Sequence, residues 1–292
     1  MNGLGFSRPF MPERLTPLFH APSYARLTPP LRLRYNQLHA CYCHEQTMFF
    51  EIALARNVLE RLLRDPYPER VKQGLRTFIA EEKRHTEMFR DANAQVAPEY
   101  YQGRGFFFIA VPRAGGAVLD WMTRRPHLFP LLLWLMLLQE ERAMFFAREF
   151  IRDADALEPL FVEVQRKHLA DETGHVAWDG ELLDAIWPRT SRLRRAVNAR
   201  LFAWMVGEFF NTPKRAVPRV VEVLAQEFPE LRPLLPAMRA ELRGLAQNRA
   251  FCEVSYSRTA TPKAFARFDQ WPEFASLAKV LRGYVPQTAH AP

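Results

Sequence analysis

The chain has 292 residues, of which 48% are hydrophobic and 25% are charged, proportions typical of a soluble globular protein. Its net charge is +8, yet no basic block is interleaved with aromatic residues, so we expect neither a nucleic-acid partner nor a membrane partner. Three cysteines exclude a disulfide framework and favour a reducing, cytoplasmic location. The most apolar stretch, Phe129–Leu138, has half of the about 20 residues that a membrane-spanning helix needs.

Prolines divide the chain into segments, and the scarcity of glycine, with 12 residues, favours helices within them. Residues 1–30 contain six prolines and are predicted to form an irregular arm over the rest of the protein, or a partly disordered one. A single helical domain is predicted for residues 31–258. Its four long helices are expected at about 31–64, 68–96, 126–153 and 156–187, with a long crossover at 99–125 and further helices at 191–210, 218–227 and 233–255. The tail, 259–292, is predicted to be extended and to pack on this domain, with a short helix at about 272–281.

One motif occurs twice in register on these predicted helices. Each copy is a glutamate followed three residues later by a histidine, and the two copies lie 90 positions apart. The two pairs are Glu82/His85 and Glu172/His175. A further glutamate precedes each pair by 31 positions, Glu51 in the first half and Glu141 in the second. Surface helices contain single Glu-x-x-His strings by chance, but a matched repeat on apolar helix faces is much rarer.

The spacing indicates a metal centre because positions i and i+3 of a helix project from one face. Two helices with a Glu-x-x-His pair and two helices with one glutamate each can place four carboxylates and two imidazoles inside a four-helix bundle, as in ferritin-like di-metal proteins. Buried carboxylates need cations to offset their charge. We therefore predict an all-α, ferritin-like four-helix bundle with additional C-terminal helices, which holds two metal ions.

Each helix that supplies a single glutamate offers two glutamates for the ligand position. Glu45 lies six positions before Glu51 and faces elsewhere on the helix. Glu140 adjoins Glu141 on the same apolar helix. Equal spacing selects Glu51 and Glu141, and Glu140 remains an alternative to Glu141.

The second half departs from the first at His168. This histidine lies four residues before Glu172, on the same helix face, whereas the corresponding residue of the first half is Phe78. A histidine on an apolar face is often a hydrogen-bonded core residue. Because this face already carries the predicted ligands, we interpret His168 as a third imidazole ligand, which makes one metal richer in nitrogen than the other.

The string from His168 to His175, with Glu141 before it and a Glu-x-x-His pair on an earlier helix, resembles the p-aminobenzoate N-oxygenase family of di-iron arylamine oxygenases. The resemblance covers about residues 35–185, and the extra histidine distinguishes this family from acyl-carrier-protein desaturases and ribonucleotide reductase small subunits. Thr47, four residues before Glu51, also resembles the context of the family's first ligand. The ligands that the resemblance implies are Glu51, Glu82, His85, Glu141, His168, Glu172 and His175.

Carboxylate and imidazole ligands suit iron, or manganese as an alternative, and open positions suit O2 activation. The expected enzyme is a non-heme di-iron oxygenase that uses O2 to convert an amine to a hydroxylamine, nitroso or nitro product through a peroxo intermediate. Expected partners are a small-molecule amine, free or bound to a carrier protein, and an external electron donor or reductase, because no flavin or NAD fingerprint occurs. A homodimer is compatible with the sequence. The alternatives are a di-iron hydroxylase or desaturase of an acyl chain or other small molecule and, ranked below them, a ferroxidase or iron-binding protein.

Overall fold

The computed structural model describes residues 6–212 and 214–287, so residues 1–5 of the predicted arm, Pro213 and residues 288–292 of the tail lie outside the description. The described chain is all helical and contains no strand. The α-helices are α1 Pro22–Ala25, α2 Pro29–Phe50, α3 Arg56–Leu62, α4 Glu69–Val96, α5 Pro98–Tyr101, α6 Arg113–Thr123, α7 Leu131–Arg152, α8 Pro159–Ile186, α9 Arg192–Met205, α10 Ala216–Glu227, α11 Leu235–Gly244, α12 Arg249–Ser255 and α13 Pro262–Asp269. Short 3-10 helices are Glu13–Leu15, Pro17–His20, Ala154–Ala156, Pro229–Leu231, Leu245–Gln247 and Pro272–Lys279, and π-helical turns are Glu51–Ala55 and Val206–Asn211. None of the described helices is long and apolar enough to cross a membrane.

The four long helices of the bundle occur where the sequence predicts them. The first is α2 continued through the π-helical turn at Glu51–Ala55 into α3, and the others are α4, α7 and α8. The sequence does not predict the π-helical turn, which widens the helix at the position of Glu51. It also does not predict α6, which lies in the long crossover between α4 and α7.

Helix α7 is the most buried helix of the bundle. Every side chain from Leu131 to Leu138 is at most 1% exposed, since α8, α9 and α13 pack around the helix. This explains why an apolar run of ten residues occurs without a membrane span. Charged residues begin at Glu140, where the bundle contains its polar centre.

The C-terminal tail differs from the prediction in one respect. Residues 272–279 form the expected short helix, but 262–269, predicted to be extended, form α13. Pro262 occupies the first position of α13, where a missing N–H is tolerated. The next two backbone N–H groups of this helix, from Lys263 and Ala264, point towards α7 and are used there.

Candidate metal centre

Seven acidic and imidazole side chains from the four bundle helices meet in the interior. Each has a relative exposure of at most 5%. They are Glu51, Glu82, His85, Glu140, His168, Glu172 and His175. The structure therefore brings together six of the seven predicted residues, with Glu140 in place of Glu141.

One side of the cluster is built by Glu51, His85 and His168, whose ligand atoms all lie within 4.8 Å of one another. His168 Nε2 lies 3.5 Å from Glu51 Oε1, and His85 Nδ1 lies 3.8 Å from the same oxygen. Thr86 donates a hydrogen bond of 3.1 Å to the other carboxylate oxygen of Glu51. Both imidazoles and one carboxylate oxygen thus face a common point.

The other side is built around His175 Nδ1. It lies 3.6 Å from Glu82 and 3.9 Å from Glu140, so these three groups again fit one cation. Glu172 joins the two sides, because its Oε1 is 3.5 Å from His175 Nδ1 and 2.6 Å from His168 Nε2. The geometry therefore offers two ligand groups that share one carboxylate.

Several of these ligand atoms have no hydrogen-bond partner although they are buried. They include both carboxylate oxygens of Glu82 and of Glu172, together with His85 Nδ1, His168 Nε2 and His175 Nδ1. The close approach of His168 to Glu172 does not have hydrogen-bond alignment. Buried polar atoms without partners are strongly unfavourable, and a cation between them would satisfy all of them at once. The residues present therefore fit a di-metal site.

The pKa values of the clustered side chains reflect the burial of several charged groups close together. Burial, reinforced by neighbouring carboxylates, raises the pKa of Glu82 and of Glu140 well above the ordinary value. Burial alone would lower the pKa of His168, but Glu172 and Glu51 raise it to about 10. At neutral pH these pKa values favour the protonated forms of Glu82, Glu140 and His168, and metal binding would release their protons.

Two further carboxylates orient the imidazoles from outside the cluster. Asp171 lies 3.0 Å from His85 Nε2, and Glu81 lies 3.1 Å from His175 Nε2. Each acts across helices, since Asp171 is on α8 and Glu81 is on α4. Such carboxylate–histidine contacts fix the imidazole that faces a metal and increase its basicity. Neither residue was predicted from the sequence, although an acidic residue directly precedes the glutamate of each Glu-x-x-His pair.

His168 and its counterpart Phe78 have different roles in the two halves. The ring of His168 packs edge-on against His85 at 4.6 Å and places Nε2 among the ligand atoms. Phe78 stacks on the ring of His175 at 3.9 Å and supplies only packing. The predicted asymmetry of nitrogen donors is therefore present in the geometry.

Glu141 does not lie with the cluster, contrary to the expectation from equal spacing. Its two carboxylate oxygens accept hydrogen bonds of 2.8 Å each from the backbone N–H groups of Lys263 and Ala264, at the start of α13. A helix N-terminus is a favourable place for a carboxylate. Glu140, one residue earlier and therefore rotated by about 100° around α7, points inward.

The other glutamate, histidine and cysteine side chains of α2 do not form metal groups. Glu45 instead accepts hydrogen bonds from the Tyr101 hydroxyl and from the backbone N–H groups of residues 107–109, and so holds the crossover against α2. Within the described residues, every set of three or more close metal-binding side chains belongs to the central cluster. His39, Cys41, Cys43 and His44, which lie close together in the sequence of α2, belong to no such set.

A cavity opens beside the cluster. Three of the clustered side chains, Glu51, Glu140 and His168, contribute to its wall. Arg142, Gln46 and Gln165 supply further polar groups, and the aromatic part of the lining is Phe50, Phe146, Phe150 and Phe210. The cavity has a volume of about 60 Å³, whereas a cavity that accepts benzene has about 150 Å³. A ring-sized ligand therefore requires side chains of the lining to move.

The chain was compared with known proteins. A search of curated proteins gave no match. The family model described as p-aminobenzoate N-oxygenase AurF matches residues 6–248, which include all seven residues of the cluster and most of the described helices. The fold is the ferritin-like, all-α fold expected for that family, and the chain belongs to the p-aminobenzoate N-oxygenase AurF family.

Proposed function

We propose that this protein is a di-iron oxygenase that adds oxygen to the nitrogen atom of an amine. The observation that carries the proposal is the buried cluster of four carboxylates and three imidazoles with unsatisfied ligand atoms, in a chain of an N-oxygenase family. Two Fe²⁺ ions would balance the charge of the four carboxylates. Oxygen and nitrogen ligands of this kind suit iron, and manganese would also fit them.

The residues would divide the task between the two ions. Glu51, His85 and His168 would hold one ion, Glu82, Glu140 and His175 the other, and Glu172 would contact both. When bound, the irons supply the activation of O2. The protein holds the ligands in place, keeps the site away from bulk water and positions the substrate in the adjacent cavity.

The reaction requires electrons from outside the chain. Converting an amine to a hydroxylamine with O2 places one oxygen atom on nitrogen and releases the other as water, which consumes two electrons and two protons. Further oxidation of the hydroxylamine gives the nitroso and nitro compounds. A separate one-electron or two-electron donor is therefore part of the proposal.

The residues that line the cavity favour a substrate that is an aromatic amine with an anionic group. Its aromatic wall suits a ring, and Arg142 supplies a cation that forms no ion pair with a described carboxylate. The Nε of Arg142 is buried without a hydrogen-bond partner, so a carboxylate of the substrate would satisfy it. The same apolar wall is the observation that favours the second candidate, hydroxylation or desaturation of an acyl chain.

The proposal is tested with protein loaded with Fe²⁺ under anaerobic conditions. We expect about two irons per chain, and fewer after Glu172→Ala. After chemical reduction and exposure to ¹⁸O2, 4-aminobenzoate should give hydroxylamino, nitroso or nitro products that contain ¹⁸O, as measured by mass spectrometry. Labelled products from a fatty acid, with none from amines, would favour the second candidate. Protein that binds no iron would contradict both.

A further inference from the structure

Exposed apolar side chains are concentrated in two segments of the described chain, which contact each other at one point. Ten large hydrophobic residues are exposed among the described residues, and eight of them belong to two segments, 111–128 and 193–209. The eight are Val111, Val118, Trp121, Leu128, Leu193, Val197, Trp204 and Phe209. The segments meet where Asn198 of α9 donates a 3.2 Å hydrogen bond to the carbonyl of Leu128. We call this surface, made by α6, the loop after it, α9 and the π-helical turn at Val206–Asn211, the α6–α9 face.

Helix α9 is apolar on both sides, which is unusual for a surface helix. Its inner side packs Phe202 and Met205 into the core. Its outer side presents Leu193 at 78% exposure, Val197 at 52% and Trp204 at 54%. Three large apolar side chains exposed along one side of a single helix are a candidate interaction site.

The same face is strongly basic. Its exposed arginines are Arg113, Arg124, Arg125, Arg192, Arg194 and Arg200. The two carboxylates on these segments are already paired, Asp120 with Arg124 and Glu208 with Lys214. A second copy of the chain docked symmetrically here would bring arginines against arginines, and like charges across an interface are unfavourable. The charge therefore favours an acidic partner.

The α6–α9 face also leads directly to the metal centre. In the π-helical turn at Val206–Asn211, Phe209 is exposed and stacks edge-on with Trp204 at 5.6 Å. The next residue, Phe210, points inward and packs against Phe50 at 6.4 Å. Phe50 and Phe210 both line the cavity beside Glu51. Two packed aromatic rings thus separate this face from the first ligand residue.

We propose that the α6–α9 face is the docking site of a small acidic protein that carries single electrons. The inference rests on the proposed oxygenase function, which needs two external electrons to convert an amine to a hydroxylamine. Each reduced carrier would deliver one electron and leave oxidised, so two dockings serve one insertion. Electron-transfer encounters use small interfaces that are guided by opposite charges, and an apolar patch with a basic border suits such an encounter.

The probe is an acidic plant-type [2Fe–2S] ferredoxin. Its binding to the full chain is measured by calorimetry at 20 mM and at 500 mM salt, and its reoxidation by the iron-loaded protein by stopped-flow absorbance. The test variant is Arg192→Gln/Arg194→Gln/Arg200→Gln. The control variant, Arg26→Gln/Arg232→Gln/Arg243→Gln, removes the same charge from exposed positions elsewhere. Circular dichroism checks the folding of both.

We expect wild-type and control protein to bind ferredoxin at low salt and to bind it at least tenfold more weakly at high salt. The test variant should bind at least tenfold more weakly at low salt and reoxidise ferredoxin at least tenfold more slowly. Product formation after reduction by dithionite should stay within twofold of the wild type, because this small donor needs no docking site.

Three results would overturn the proposal. The first is an equal loss of ferredoxin binding in the test and control variants. The second is ferredoxin binding by the wild type that does not depend on salt. The third is a test variant that binds ferredoxin as the wild type does but no longer binds phosphatidylglycerol vesicles or no longer self-associates. The last result would assign the face to a lipid surface or to a second copy. If the dithionite-reduced wild type did not oxidise an amine, the oxygenase function itself would be contradicted. The calorimetric data measure ferredoxin binding separately, so they distinguish failure of the oxygenase function from failure of the docking proposal.

Discussion

Two neighbouring glutamates of α7 should respond in opposite ways to the same substitution. Glu140 points into the cluster, with one oxygen 3.9 Å from His175 Nδ1, whereas Glu141 points away and caps α13. Glu140→Gln and Glu141→Gln each replace one carboxyl oxygen by an NH2 group and remove one ionisable group. Any difference between them therefore reports the direction of the side chain.

The expected loss for Glu141→Gln follows from its two 2.8 Å hydrogen bonds. A hydrogen bond to a charged group contributes about 1.5–3 kcal/mol. Glutamine keeps one carbonyl oxygen for one N–H donor but turns an NH2 group towards the other, and the favourable charge at the helix N-terminus is lost. We expect the free energy of unfolding to fall by about 2–3 kcal/mol, and Tm by roughly 4–10 °C. Iron content should stay at that of the wild type.

Glu140→Gln should give the reverse pattern. Without metal, the variant should be as stable as the wild type or more stable, because it removes one of several carboxylates buried close together. Iron per chain, measured by elemental analysis after loading, should fall clearly below that of the wild type. If Glu141→Gln lost iron while Glu140→Gln kept it, equal spacing would be the correct guide and our assignment of the inward side of α7 would be wrong.

Three further variants test other parts of the structure. Gly283→Ala should lower the free energy of unfolding by about 1–3 kcal/mol in urea titrations, because a Cβ atom there would lie 2.0 Å from the backbone oxygen of Tyr256; unchanged stability would contradict this packing. Burial lowers the pKa of His39 to about 3, so its contribution to stability is complete above pH 6.5 and decreases as the pH falls. Between pH 7 and 5 the decrease should be about 2 kcal/mol, and His39→Phe should reduce it; an identical pH profile would contradict the burial of a neutral imidazole. Asp171→Asn should weaken iron binding about 10–100-fold, measured by competition with a chelator, because the carboxylate no longer orients His85.

Some features could be predicted because local geometry alone determines them. The i, i+3 spacing of Glu82/His85 and Glu172/His175 places each pair on one helix face wherever the chain is helical, and both pairs meet in the interior. Proline also marks helix ends locally, so α4 ends at Val96, directly before Ala97 and Pro98, close to its predicted end. Neither prediction required knowledge of distant parts of the chain.

The position of Glu141 could not be predicted in this way. Counting 31 residues assumes that the two single-glutamate helices turn equally, but the first contains a π-helical turn at Glu51–Ala55 and α7 is a regular α-helix. Equal numbers of residues then do not give equal directions. The partner of Glu141 is also distant in sequence, since α13 lies more than 120 residues later in a tail that was expected to be extended.

The repeat carries more information than its ligand pairs suggest. Neighbouring residues on a helix point about 100° apart. The acidic residue directly before the glutamate of each Glu-x-x-His pair therefore points away from the cluster but reaches an imidazole of the adjacent helix, as Asp171 and Glu81 do. The two Glu-x-x-His pairs are therefore symmetric in both their ligands and their outer contacts, whereas His168 has no ligand counterpart in the first half. Because His168 lines the cavity and Phe78 does not, the additional nitrogen donor belongs to the side of the centre that substrate would approach. His168, the histidine without a counterpart in the first half, therefore lies where the metal centre meets the cavity, which the number of ligands alone does not reveal.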